Sequence, residues 1–118
     1  MSDAETLMNA NLLEVFNERD PERRAAAIAR TYAPDVVFAD PEGSVTGHAA
    51  INEKAQALLD GAPGFVFRPS SPVYFGPDLA CLTWEFGPEG QEPVVKGVDI
   101  GSIADGVLVK VSTLVVQP

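Results

Sequence analysis

The sequence holds one cysteine, one histidine and one tryptophan among 118 residues. Cys81 alone closes no internal disulfide, and a single thiol builds no zinc centre of the usual kind. Basic residues are also scarce, 8 against 17 acidic ones, for a formal net charge of -9. A chain so acidic repels phosphate backbones and anionic bilayers, so neither nucleic acid nor a membrane is an expected partner. No apolar run approaches the ~20 residues that a membrane-spanning helix needs. The opening Met1-Ser2-Asp3-Ala4-Glu5 lacks the basic-then-apolar order of a signal peptide, and a soluble cytoplasmic protein is expected. Neither Gly-x-Gly-x-x-Gly nor a Walker pattern occurs, which argues against a phosphate-cradling loop. The acids Glu85, Glu89 and Glu92 around one turn fit no calcium-loop spacing and read as a solvated turn.

What is present is ordinary globular material, 46% hydrophobic, with no repeat or long linker. Residues 1–118 are expected to form one domain, long enough to bury a core unaided. The composition shifts once. Up to about residue 60 the chain is rich in Ala, Leu, Glu and Arg; after Gly64 it turns to Val, Phe and Thr with Pro and Gly punctuation. Helices first and strands later point to an α+β fold.

Asp3 is placed to cap a first helix over roughly 5–18, with Met8, Leu12, Val15 and Phe16 on its apolar stripe. Asp20-Pro21-Glu22 starts a second helix, running to about Tyr32 with Ala25, Ile28, Ala29 and Tyr32 inward, and Pro34 stops it. A short strand over 35–40 turns at Pro41-Glu42-Gly43 into a hairpin partner at 44–46. A third helix spans 48–60 and closes at Gly61. Strands are expected over about 65–75, 79–87 and 93–103. Asp105-Gly106 then makes a hairpin into Val107–Val116. That last strand is apolar on both faces, with Leu108, Leu114 and Val116 on one and Val109, Val111 and Val115 on the other. One face lines the interior; the outer one is the expected dimer surface.

Two acids stand out. Asp40 shares a strand face with Val36 and Phe38, so it sits at the edge of an apolar region; equally, it could serve only the Asp-Pro turn by accepting backbone N–H groups. Asp99 lies inside Val94-Val95-Lys96-Gly97-Val98-Asp99-Ile100, a run that reads as a central strand. A carboxyl there needs a partner, a pocket or a function. Either it points inward with Val95 and Gly97, or Lys96 does. Gly97 leaves room beside it, as where a ligand approaches a strand.

Tyr32-Ala33-Pro34-Asp35-Val36-Val37-Phe38-Ala39-Asp40-Pro41, then Gly47-His48-Ala49-Ala50-Ile51, then Gly97-Val98-Asp99-Ile100 before Asp105-Gly106 form an ordered set of motifs. In these the chain resembles the SnoaL-like and ketosteroid isomerase-like proteins of the nuclear transport factor 2-like superfamily. The resemblance implies a cone-shaped α+β roll, three helices on a curved, mostly antiparallel sheet around a pocket, and commonly a homodimer. It implies Asp40 as general base and Asp99 as an acid, protonated and donating a hydrogen bond to a developing oxyanion.

The chain also departs from related patterns. The isomerases carry an oxyanion tyrosine on the first helix, where this sequence offers Leu12 and Phe16; Tyr32 matches a different family tyrosine. Related epoxide hydrolases place Arg two residues before the strand acid, where Gly97 stands here. Dehydratases of the family pair a His with their acid, and the sole histidine, His48, reads as a surface residue. The expected pocket lining is Leu12, Phe16, Tyr32, Phe38, Leu82, Trp84, Phe86, Gly97, Val111 and Thr113, with Val115 on the same face of the last strand and Phe65 and Phe67 in that wall or in the core. Cys81 reads as a small packed side chain.

Two carboxyl groups at one apolar pocket suit proton transfer, since burial and mutual repulsion drive their titrations apart. Asp99 is expected to titrate high, chiefly from desolvation and secondly from repulsion by Asp40. Such chemistry needs no metal and no organic cofactor. The expected function is a cofactor-independent isomerase or cyclase-like lyase acting on a small, mostly apolar carbonyl compound. The alternative is a non-catalytic ligand-binding or dimerisation module.

Overall fold

The computed structural model describes residues 3–116. Helix α1 (Ala4–Asn9) runs directly into a π-helical segment (Ala10–Phe16). Asp3 caps it as expected, its carboxylate accepting from the Thr6 N–H at 2.8 Å. Met8, Leu12, Val15 and Phe16 are buried, and so is Asn11.

Helix α2 (Pro21–Thr31) begins at Asp20, whose side chain accepts from the Glu22 N–H. Its inner face is rotated by one residue from the sequence reading. Arg24, Ala27, Ile28 and Thr31 are buried, while Ala25 and Ala29 face solvent. The reason is Arg24, which donates to the Glu18 and Arg19 carbonyls at 2.9 and 3.3 Å and to the Asn52 and Gln56 side-chain oxygens at 2.8 and 2.9 Å. These acceptors replace water around a charge that a sequence pattern sends outward. Tyr32 already has extended backbone, so α2 ends three residues before Pro34 and the first strand starts earlier than residue 35.

The strands are β1 (Tyr32–Asp40), β2 (Gly43–Thr46), β3 (Phe65–Pro69), β4 (Tyr74–Phe75), β5 (Leu79–Pro88), β6 (Val95–Ala104) and β7 (Val107–Val115). Helix α3 (His48–Asp60) lies between β2 and β3, with the expected bounds and Gly61 at its end. The sheet order is β2-β1-β7-β6-β5-β3, with β4 also paired to β5. All pairings are antiparallel except β1 with β7. Helix α1 packs on β5 and β6, α2 on β1 and β7, and α3 on β1 and β2, giving three helices on a mixed, mostly antiparallel sheet. The expected strand over 65–75 breaks after Pro69, where the Ser70 N–H donates to the Thr83 carbonyl and the Ser71 hydroxyl accepts from the Thr83 N–H.

Asp105 and Gly106 have φ of 53° and 80°, the left-handed pair of a type I′ turn. Next to it Ser102 pairs with Lys110 but Ile103 with Leu108, leaving Val109 as an extra residue. That bulge turns Leu108 to the side of Val111, and both are fully buried. Strict alternation had placed Leu108 outward with Leu114 and Val116; only the latter two are exposed.

Candidate active site

Asp99 stands in the middle of β6, opposite Leu82 of β5 and Thr113 of β7. It is 5% exposed, whereas Lys96 faces solvent, so the acid and not the lysine points inward. Three donors converge on it. The Thr113 hydroxyl and the Trp84 indole N–H reach Oδ1 at 2.7 and 2.9 Å, and the Asn11 amide reaches Oδ2 at 2.7 Å. The Tyr32 hydroxyl in turn donates to Asn11 Oδ1 at 2.5 Å. The network thus joins the π-helical segment to β1, β5, β6 and β7.

Gly97 makes the Trp84 contact feasible. A Cβ there would lie 2.5 Å from the indole ring and 2.6 Å from the Leu114 carbonyl oxygen. The room left by this glycine is therefore filled by Trp84 and not by a ligand; the ring lies across the strand and aims its N–H at Asp99. Burial raises the Asp99 carboxyl above its ordinary range, opposed by the hydrogen bonds from Thr113, Trp84 and Asn11. The expected repulsion from Asp40 plays no part. Burial, with the Asp99 charge second, pushes the Tyr32 phenol well up and keeps it a neutral donor.

Asp40 serves both of its sequence readings. One carboxylate oxygen accepts from the Glu42 N–H at 2.9 Å, closing the Asp-Pro turn. The other forms an ion pair with Lys54 Nζ of α3 at 2.9 Å, in a setting where both side chains are mostly covered. Lys54 also reaches Glu42 at 3.2 Å. The hydrogen bond that it donates to Asp40 raises the lysine above its usual value, so the group is an ammonium.

Asp40 and Asp99 line one interior cavity of about 100 Å³. Its walls include Leu12, Phe16, Phe38, Thr113 and Val115, as expected, and of the two phenylalanines left between wall and core Phe67 lines it. Phe16 stacks on Phe38 with ring centroids 4.9 Å apart. Six expected residues do not line it. Tyr32 and Trp84 lie behind Asp99 as its hydrogen-bond support, Gly97 is covered by Trp84, and Leu82, Phe86 and Val111 are packed into the core. A shallow groove of about 660 Å³ lies beyond the rim, sharing Asp40, Lys54 and Leu58 with the cavity.

The sequence reading missed Asn11 and Lys54. Both carried a signal: Asn11 is three residues after Met8 and four before Val15, and Lys54 stands between Ile51 and Leu58 at helical spacing. His48 is half-buried, not superficial, and its Nε2 donates to the Tyr32 carbonyl at 2.9 Å. Cys81 is half-buried. Among the described residues no cluster of three His, Cys, Asp or Glu side chains is arranged to hold a metal ion, and no helix is long and apolar enough to cross a membrane.

Fold and site together define a class: an α+β roll in which an interior carboxylic acid and a rim carboxylate face one apolar cavity. The SnoaL-like domain model matches residues 10–111, and the chain belongs to that family. A proposed isomerase of the SnoaL-like family from Agrobacterium tumefaciens is similar over 99% of this chain and 100% of its own, with a TM-score of 0.90 and 21% identity. A proposed SnoaL-like polyketide cyclase from a Jannaschia species covers 98% and 89%, with a TM-score of 0.73 and 18% identity. A proposed ketosteroid isomerase from Kribbella flavida covers 100% and 83%, with a TM-score of 0.70 and 20% identity. At such identities the likeness is one of fold. No curated protein matches the chain.

Proposed function

We propose that this chain is a cofactor-independent, isomerase- or cyclase-like catalyst of proton transfer on a small, mostly apolar carbonyl compound. The observation that carries the reading is a pair of carboxyl groups in unlike surroundings on one apolar cavity: Asp99 buried and titrating high, Asp40 at the rim and paired with an ammonium. Asp40 is the base. As it takes a proton from the carbon next to the carbonyl, the C–H bond breaks, an O–H bond forms on Asp40, and the electron pair moves to the carbonyl oxygen. Asp99, when protonated, donates a hydrogen bond to that oxygen. Lys54 loses its charge partner at that moment and keeps Glu42, already 3.2 Å away.

A second reading, ligand binding without turnover, draws support from the size of the cavity. About 100 Å³ is below the ~150 Å³ that holds benzene and well below a typical ligand pocket. A substrate with a longer tail would therefore extend over the Asp40–Lys54–Leu58 rim into the groove. The same proposal takes the exposed apolar side chains Tyr74, Phe75, Leu79, Leu114 and Val116 as the surface of a homodimer.

Hydrogen–deuterium exchange at the α-carbon of a panel of small ketones and 1,3-dicarbonyls, followed by proton NMR, tests the catalytic reading. Catalysed exchange is expected, and Asp40→Asn should slow it by ~10²–10⁴. Binding without exchange across the panel favours the second reading, and exchange that survives Asp40→Asn removes the base assignment.

A further inference from the structure

The four side chains of the Asp99 network differ in what they can do. An indole N–H donates and never accepts; a hydroxyl does both; an amide offers two hydrogens on one side and an oxygen on the other. Trp84 therefore presents a fixed donor to Oδ1. Thr113, also on Oδ1, can donate to the ionised acid or turn to accept from the neutral one. Asn11 could face Oδ2 with either end, and Tyr32 decides which.

Tyr32 is 1% exposed and its hydroxyl donates to Asn11 Oδ1. If the amide turned over, its NH2 would meet the phenol oxygen, and the buried phenolic hydrogen would lose the acceptor that it has in Asn11 Oδ1. That is costly enough to hold the amide in place. Its NH2 then faces Oδ2 at 2.7 Å. A proton on Oδ2 would point at those hydrogens, whereas a proton on Oδ1 has Thr113 to receive it. Thr113 lines the cavity; Asn11 and Tyr32 do not.

We propose that Tyr32 is a positioning residue that, acting through the Asn11 amide, confines the exchangeable proton of Asp99 to Oδ1, beside the cavity-lining hydroxyl of Thr113. The inference rests on the reading of Asp99 as the acid of the site and deepens it, because an acid serves a ligand only from the oxygen that the cavity reaches. The other charged groups leave the network alone. Asp40 of β1 and Lys54 of α3 line the same cavity but bond to each other, and Lys96 of β6 is on the opposite, exposed face. Tyr32 is the remaining titratable group, held neutral by burial.

Tyr32→Phe deletes one oxygen from a buried ring and frees the amide to turn over. The neutral acid then gains a second arrangement, with Oδ2–H donating to Asn11 Oδ1. A carboxyl-carbon NMR titration of Asp99 should move to higher pH in Tyr32→Phe than in the wild type. A purely structural Tyr32 would lower the melting temperature and leave that titration in place, and an unmoved or lowered midpoint in a folded variant overturns the proposal. The wild type supplies a reading that does not depend on the variant folding. Its Asn11 side-chain NH2 should remain hydrogen-bonded to the carboxyl on both sides of the Asp99 titration, as seen in its proton and nitrogen shifts; loss of that bond on protonation overturns the proposal. Neither readout involves turnover, so an inactive protein would defeat the catalytic reading and leave this one standing.

Discussion

Asp99→Asn keeps the shape of the side chain and turns one acceptor into a donor, so its cost can be counted from the network. The substituted amide can still accept from Trp84 and Thr113 with its one oxygen. Its NH2 then meets the Asn11 NH2, which in the wild type lies 2.7 Å from Oδ2. Two donors cannot share that contact. Turning Asn11 over relieves it and moves the deficit to the Tyr32 hydroxyl. Either way at least one buried polar hydrogen has no acceptor, worth about 1–3 kcal/mol. Acting against this is the removal of a desolvated charge, and that gain depends on pH. Burial raises Asp99 in the folded state. Between the unfolded value of ~3.9 and the higher folded one, the folded protein binds more protons than the unfolded. This contribution to wild-type stability is present in full below the unfolded value, and it is lost as pH rises through the folded one. The amide does not titrate, so the wild type's advantage over the variant should be largest in acid and shrink toward neutral pH.

A double-mutant cycle separates the network from the charge. Tyr32→Phe alone orphans Asn11 Oδ1, again about 1–3 kcal/mol. In the double variant a turned Asn11 accepts from the amide introduced at position 99, and only its own NH2 lacks a partner. The two costs should therefore fail to add by the worth of about one buried group, ~1–3 kcal/mol. Urea unfolding of the four proteins at neutral pH gives the coupling, and wild type against Asp99→Asn across about pH 3–8 gives the slope. Additive costs would refute the network, and a wild-type advantage that grows with pH would refute the buried, high-titrating acid.

Gly97→Ala should be costly although the change is one methyl, because the new Cβ would lie 2.6 Å from the Leu114 backbone oxygen, which no rotamer change can move, as well as against Trp84. A loss of about 3 kcal/mol is expected in thermal or urea unfolding, with a shifted Trp84 fluorescence; a variant as stable as the wild type would mean that the indole does not lie across β6. Leu114→Glu puts a charge in the exposed apolar face and should convert a dimeric wild type to monomers in sedimentation at micromolar concentration, with little change in monomer stability. A wild type already monomeric there removes the self-association proposal.

Much of the local structure was written in short-range chemistry. Asp3 and Asp20 cap helices because their side chains reach N–H groups two or three residues on, and Asp105-Gly106 turns a hairpin because both residues tolerate left-handed backbone. The bounds of α3 followed from Gly47 and Asp60-Gly61 at its ends, and a period of 2 put Asp99 and Lys96 on opposite faces of β6 without deciding which points inward. The period of 2 failed where the backbone departed from it, at the Val109 bulge, which turns Leu108 into the core.

What the sequence by itself determined was therefore the α+β class, most element boundaries and Asp40 and Asp99 as the two candidate acids. Only the tertiary structure decided which polar groups could be buried with them. Arg24 is inside because Asn52 and Gln56, roughly thirty residues away, replace its water; Asp40 is neutralised by Lys54 from another element; Asp99 is held by donors from three others. A charge or amide enters the interior only when partners arrive from elsewhere in the chain, and a local pattern of apolar and polar residues holds no record of where those partners will be.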